Sequence, residues 1–379
     1  MLSKSNDVTV ITWGEGDSNI LIDGRMKIIH YGRKRKEFLT NNVNIYPRFL
    51  VDLISYLGIY NIISLRNKGP SPRDILKEID NKFDIIMRIS FDNNEIPRYL
   101  GKYFDIPVVE LAIVAGLPHY LQNVKAWTKY NASISPLSVG ILNFFFKISK
   151  MIVLKFFVSS LSSRNVLVVS QRDLLEMRKI KNLKISYIPP LHNFSCKETN
   201  IYDNRIVIFF SSRNLAAQIA GEFIAKAATT LNDIEFAITG FKPEITSFTE
   251  LPSNLILYGY LDESSFNDLL DKSSIVIFPL ISGQGFQTKM GEALARGKPI
   301  ITTSVIAEEF PELNNGEHIL IEDNPEEFIK KIKLLMNDRD LRIFLSNNAQ
   351  KYYKNHLSMD IALQRHLEYL ESVINNHNK

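Results

Sequence analysis

Residues 274–303 hold the pattern that most restricts what this chain can build. Ser274-Ile275-Val276-Ile277-Phe278-Pro279 and Pro299-Ile300-Ile301-Thr302-Thr303 are short runs of β-branched and aromatic residues, read as strands buried on both faces of a parallel sheet. Between them Thr288 to Arg296 reads as a helix, Gly297 suits the left-handed position after its end, and Pro299 blocks continuation. The turn into that helix carries Gly283 and Gly285, which can take positive φ and bring free backbone amides close to a ligand. Those amides, the helix dipole and Lys289 in the first turn favour an anion such as phosphate. One turn on, Glu292 can accept two hydrogen bonds from a vicinal diol such as a ribose. Gly291 in mid-helix costs about 1 kcal/mol relative to Ala, so a ligand or a neighbouring backbone is expected to need the space. The plain alternative is a strand–turn–helix unit whose glycines serve geometry alone.

The same style continues on both sides. Arg205 to Ser212, Ile234 to Gly240, Asn254 to Gly259 and His318 to Ile321 read as further strands. Helical stretches at Ala216 to Leu231, Glu263 to Asp271 and Pro325 to Asn337 lie among them, which predicts a doubly wound parallel sheet. Ligands of such sheets bind beyond the carboxyl ends of the strands, where Ser211-Ser212-Arg213, Gly240 and the Gly283 turn fall. The N-terminal half shows strands at Val8 to Trp13, Lys27 to Tyr31, Phe83 to Arg88, Ile106 to Glu110, Val166 to Ser170 and Lys184 to Pro189. Pro189-Pro190 and the polar run Ser195 to Asn204 mark a boundary, since neither continues a regular element.

The stretch Glu292-Ala293-Leu294-Ala295-Arg296-Gly297-Lys298-Pro299-Ile300 resembles the donor-site motif of the group 1 (family 4) glycosyltransferases of GT-B fold. Their pattern is Glu, seven residues, Glu, then Ala-x-Ala-x-Gly-x-Pro-Val. The preceding segment, Gly283-Gln284-Gly285-Phe286-Gln287-Thr288-Lys289, resembles the sub-pattern Gly-x-Gly-x-Gln-x-Lys, and Gln284 stands where the family places its first carboxylate, the one on the transferred sugar. An amide can still bond hydroxyls but carries no charge.

The resemblance implies an α/β chain of GT-B architecture, two Rossmann-like doubly wound parallel-sheet domains facing a cleft. It implies an acceptor-binding domain over 1–190, a linker over 191–204, a nucleotide-sugar-binding domain over 205–355, and a helix over 356–379 crossing back to the N-terminal domain. Family members begin with a strand, a Gly-rich loop and a helix ahead of the strand that Val8 to Trp13 resembles. Either the chain start is misplaced by about 30 residues, the length of such a unit, or the first sheet lacks a strand. The implied activity is retaining, hexosyltransferase-like transfer from a UDP- or GDP-linked sugar to a lipid-linked or glycan acceptor in cell-surface polysaccharide or glycan biosynthesis, with no metal and no cofactor. Arg213, Gly240, Gly283, Gly285, Phe286, Gln287, Lys289 and Glu292 are the implied donor-binding residues.

Arg213 suits two phosphate oxygens with its fork, or caps a helix at the surface. His119 follows the Val108 strand and either faces acceptor and sugar or is a loop histidine without a role. Glu110, read as ending that strand, is a candidate base or acceptor-binding carboxylate. With Gln284, these two form the candidate catalytic set. Two rival readings stay open: a nucleotide-sugar epimerase of the same fold, and a catalytically weakened subunit that binds or scaffolds, which Gln284 makes credible.

Composition removes other classes. The 379 residues, 45% of them hydrophobic, suffice for two domains. Cys196 is the sole cysteine and the seven His are scattered, which argues against a disulfide framework or a structural metal. A net charge of +4 suits phosphorylated ligands or an anionic membrane surface better than nucleic acid. Residues Met1 to Asp7 lack the apolar core of a signal peptide, so a cytoplasmic location is expected. Leu137 to Leu161 is dense in Phe, Ile and Leu, with Lys147, Lys150 and Lys155 on one sector. Lysines at the centre of a spanning helix cost about 2.5–3.5 kcal/mol each. This segment is therefore read either as lying in a membrane interface or as a buried helix with snorkelling lysines.

Overall fold

A computed structural model describes residues 8–15, 19–23, 26–33, 83–88, 95–112, 161, 163–192, 194, 196, 204–212, 214–282 and 286–378. The chain divides into two compact units, one of which takes in Leu167–Glu371.

Within that unit, β8 (Ile206–Ser211), β9 (Glu235–Gly240), β10 (Leu255–Gly259), β11 (Ile275–Phe278), β12 (Ile300–Thr302) and β13 (Leu320–Ile321) form a six-stranded sheet in the order β10-β9-β8-β11-β12-β13. Every pairing in it is parallel. The central strands are apolar without alternation because both of their faces are covered, and all four residues of β11 are buried. The connecting helices are α3 (Leu215–Thr230), α4 (Glu263–Lys272), α5 (Thr288–Ala295), the single turn α6 (Ser304–Ala307) and α7 (Pro325–Asn337), followed by α8 (Arg339–His356) and α9 (Met359–His377). Their starts are written in the sequence: Asn214, Asp262, Asn324 and Asp338 accept from amides of the first turns of α3, α4, α7 and α8. Pro325 sits at the first position of α7, where its missing N–H is harmless.

Gly297 closes α5 with φ of +60°. Its amide donates to Leu294 O at 3.0 Å and that of Lys298 to Ala293 O at 2.9 Å, the paired bonds of a Schellman ending. Lys298 is 4% exposed and its Nζ donates to Asp271 O at 2.7 Å and Ser273 O at 2.9 Å, satisfying carbonyls at the end of α4.

Towards the N-terminus, β1 (Val8–Glu15), β2 (Asn19–Asp23) and β3 (Met26–Arg33) form a sheet of order β1-β3-β2. β1 and β3 are parallel, whereas β2 is an antiparallel edge strand that the sequence did not reveal. β4 (Ile86–Arg88), β5 (Val108–Ala112), β6 (Asn165–Val168) and β7 (Lys184–Tyr187) form a second sheet in that order, with α1 (Glu95–Phe104) before β5 and α2 (Gln171–Met177) before β7. His377 Nε2 lies 3.6 Å from Asp105 Oδ1, just past α1.

Candidate functional site

The chain lays down β8, β9 and β10 to one side and then returns to place β11, β12 and β13 on the other. This reversal leaves a crevice beyond the carboxyl ends of β8 and β11, the usual ligand position in doubly wound sheets. Ser211 ends β8, and among the described residues its buried hydroxyl has no hydrogen-bond partner. Gly240 ends β9 with φ of +88°, and a Cβ there would lie 2.4 Å from Ser211 O. Gly259 ends β10 with φ of +75°, leaving room for the stem of Lys242.

From the other side comes α5. Gln287 occupies its N-cap without a side-chain cap bond. Lys289 in the first turn lies over the Phe266 ring, 4.4 Å from its centroid, and 5.9 Å from that of Phe210. Its Nζ is 3.0 Å from Glu292 Oε2. Glu292 Oε1 is in turn 3.6 Å from Arg296, whose guanidinium is held by Asp271 at 2.8 Å and by Asn267. A carboxylate flanked by two cations, one of them an exposed ammonium at a helix start, is equipped for a ligand that carries both phosphate and hydroxyls.

The structure therefore brings together Gly240, Lys289 and Glu292, with Phe286 and Gln287 leading into α5. Arg213, Gly283, Gln284, Gly285 and His119 lie outside the described residues, as do residues 137–160. Glu110 does not end its strand: β5 runs on to Ala112, and Glu110, paired with Arg88 at the end of β4, is 1% exposed. The space at Gly291 is taken by two rings rather than by a neighbouring backbone, since a Cβ there would meet Phe194 at 3.2 Å and Phe286 at 3.3 Å.

A second polar cluster escaped the sequence. Glu309, after α6, is fully buried; it accepts from Ser170 Oγ at 2.8 Å and lies 3.2 Å from Arg172 Nη1. Burial pushes its carboxyl up, and Arg172 and Ser170 oppose that rise. Phe210 and Phe266 under Lys289 were also missed, although Phe210 directly precedes the flagged Ser211.

Residues 205–338 match the family model described as Glycosyl transferases group 1. Over that stretch the chain is similar to group 1 glycosyltransferases. No curated protein matches the chain significantly. Among solved structures, sucrose-phosphate synthase from Thermosynechococcus elongatus is similar at 14% identity and TM-score 0.59, covering 97% of this chain and 89% of that one. A glycosyltransferase from Rickettsia africae aligns at 17% identity, TM-score 0.55 and 92% and 86% coverage. Anabaena HepE, solved in complex with UDP, aligns at 12% identity, TM-score 0.55 and 79% and 82% coverage. At such identities the likeness carries the fold alone, and that fold is GT-B, two parallel-sheet α/β domains. Among the described residues no helix is long and apolar enough to cross a membrane.

Proposed function

We propose that the protein transfers a sugar from a nucleotide-diphosphate sugar to a lipid-linked or glycan acceptor, with retention. The supporting observation is the placement of Lys289 and Glu292 in the first two turns of α5, at the switch point beside Ser211 and Gly240. Phosphate oxygens meet Lys289 at the start of α5, and the ribose hydroxyls meet Glu292. As the bond from the anomeric carbon to the diphosphate breaks and a bond to the acceptor oxygen forms, negative charge grows on the leaving group, where Lys289 and Arg213 stabilise it most. His119 and Gln284 are the proposed groups at the reacting sugar and acceptor. The chemistry needs neither metal nor cofactor in this reading. A UDP-linked donor is favoured by similarity to HepE, solved with UDP, and to the pneumococcal GtfA, solved with UDP and GlcNAc.

Gln284 supports one rival, a weakened subunit that binds nucleotide-sugar without efficient transfer. The deciding experiment incubates the full chain with a panel of radiolabelled UDP- and GDP-sugars and lipid extract. Label transferred to lipid supports the enzyme, bound but untransferred label supports the rival, and epimerised free nucleotide-sugar indicates an epimerase. Absence of any nucleotide binding ends all three.

A further inference from the structure

Phe286 is the residue before the N-cap of α5, and Gly291 is the fourth residue of the helix. In a hydrophobic staple these two positions touch through apolar side chains and fix the angle at which the chain enters the helix. Here the fourth position has no side chain, and the ring of Phe194 closes over it instead: a Cβ on Gly291 would lie 3.2 Å from Phe194 and 3.3 Å from Phe286. Phe194 belongs to the chain that leaves β7, nearly 100 residues earlier (194 against 291). It is part of a row of rings. Tyr353 on α8 lies 6.2 Å from Phe194, Phe194 stacks on His192 at 5.1 Å, His192 stacks on Phe286 at 6.0 Å, and Phe286 meets Phe310 at 5.0 Å.

The start of α5 has little local support of its own. Its N-cap side chain does not cap the helix amides, and its fourth residue is the poorest helix former other than proline. What fixes Phe286 is supplied by His192, Phe194 and Phe310, all outside the helix. We propose that Phe194 is a positioning residue that completes the staple of α5 from the segment after β7, and so holds Lys289 and Glu292 in the geometry that binds a nucleotide diphosphate. The second half rests on the donor reading above; the first does not.

The test uses the full chain and three variants: Phe194→Ala, Phe194→Ala combined with Gly291→Leu, and Phe223→Leu. The last removes part of an aromatic pair in the same core, Phe223 against Phe328 at 5.4 Å, away from α5. Hydrogen exchange of peptides covering residues 286–294 is read beside calorimetric titration with UDP and GDP. Phe194→Ala should raise exchange there about tenfold and weaken nucleotide binding by a similar factor, about tenfold. The double variant, which returns an apolar residue to the helix itself, should recover protection, and Phe223→Leu should change neither reading. Unchanged exchange in Phe194→Ala, or an equal rise in Phe223→Leu, overturns the staple. Raised exchange with wild-type affinity overturns the positioning role. Raised exchange in a protein whose wild type binds neither nucleotide supports the staple and overturns the donor reading.

Discussion

Ser170 Oγ donates a 2.8 Å hydrogen bond to Glu309 Oε2 across 139 positions of sequence, tying the end of β6 to the loop after α6. Arg172, two residues on, faces the other oxygen of the same carboxylate at 3.2 Å. A buried carboxylate is tolerated because of these two partners and the backbone amides of Gln171 and Arg172, and the two side chains differ in weight.

Removing the cation should cost most. Arg172→Met leaves Glu309 buried without its cation, a loss of about 3–5 kcal/mol, whereas Ser170→Ala removes one bond to a charged group at about 1.5–3 kcal/mol. Urea denaturation of both variants measures the order, and a milder effect at Arg172 than at Ser170 contradicts the ion-pair account.

At the donor site, Glu292→Gln and Lys289→Ala should each weaken nucleotide-diphosphate binding by about 1.5–3 kcal/mol without unfolding the protein. Lys289 is half exposed and Arg296 keeps Asp271 and Asn267 as partners, so neither change strands a buried charge. Calorimetry showing unchanged affinity would falsify the assignment.

Gly240→Ala and Gly316→Ala separate strain from collision. Both positions have positive φ, +88° and +80°, but a Cβ meets Ser211 O at 2.4 Å in the first and open space in the second. Gly316→Ala should cost about 1–2 kcal/mol for the left-handed backbone alone. Gly240→Ala should cost more and should also disturb nucleotide binding, because the carbonyl it displaces belongs to the strand end at the crevice. Equal melting temperatures for the two variants would remove the collision from the account.

Acid should destabilise the fold before carboxylates titrate. Burial lowers the pKa of His192, His318 and His366. The unfolded chain therefore takes up protons at these sites at a higher pH than the folded one, and stability falls as pH drops below about 6.5. Glu309 acts in the opposite sense, since its raised carboxyl gains protons in the folded state first. Melting temperatures at pH 7.5 and pH 5.5 read the sum; His366→Leu should flatten the decline, and an unaltered slope would exclude His366 from it.

Residues 137–161 carry the membrane proposal. Replacing Phe144, Phe145 and Phe156 by Ser should release the protein from anionic liposomes if that face meets lipid, and should lower its melting temperature if the face is core. Wild-type binding should weaken with salt without vanishing, because each lysine near the surface adds about 1 kcal/mol of screened attraction to apolar burial.

Much of this was legible locally. β8, β9 and β11 are continuous apolar runs because a parallel sheet covers both faces. The ending of α5 was visible because glycine is the residue that takes φ of +60° at least cost, and Gly297 supplies it. The edge strand β2 was hidden, since a short antiparallel addition lacks the crossover helix that announces parallel strands. Gly291 was recognisable as an anomaly but not explicable, since its reason is a ring from Phe194. Ser170, Arg172 and Glu309 gave no signal, because each is unremarkable in its own neighbourhood and they meet only in the folded chain.

The buried Lys298 makes the lengths of α4 and α5 interdependent. Its backbone amide closes α5 while its ammonium closes α4 through Asp271 O and Ser273 O. Inserting one residue within either helix turns everything beyond it by about 100°, so one lysine can no longer serve both ends. The two helices can thus exchange residues but not change their count.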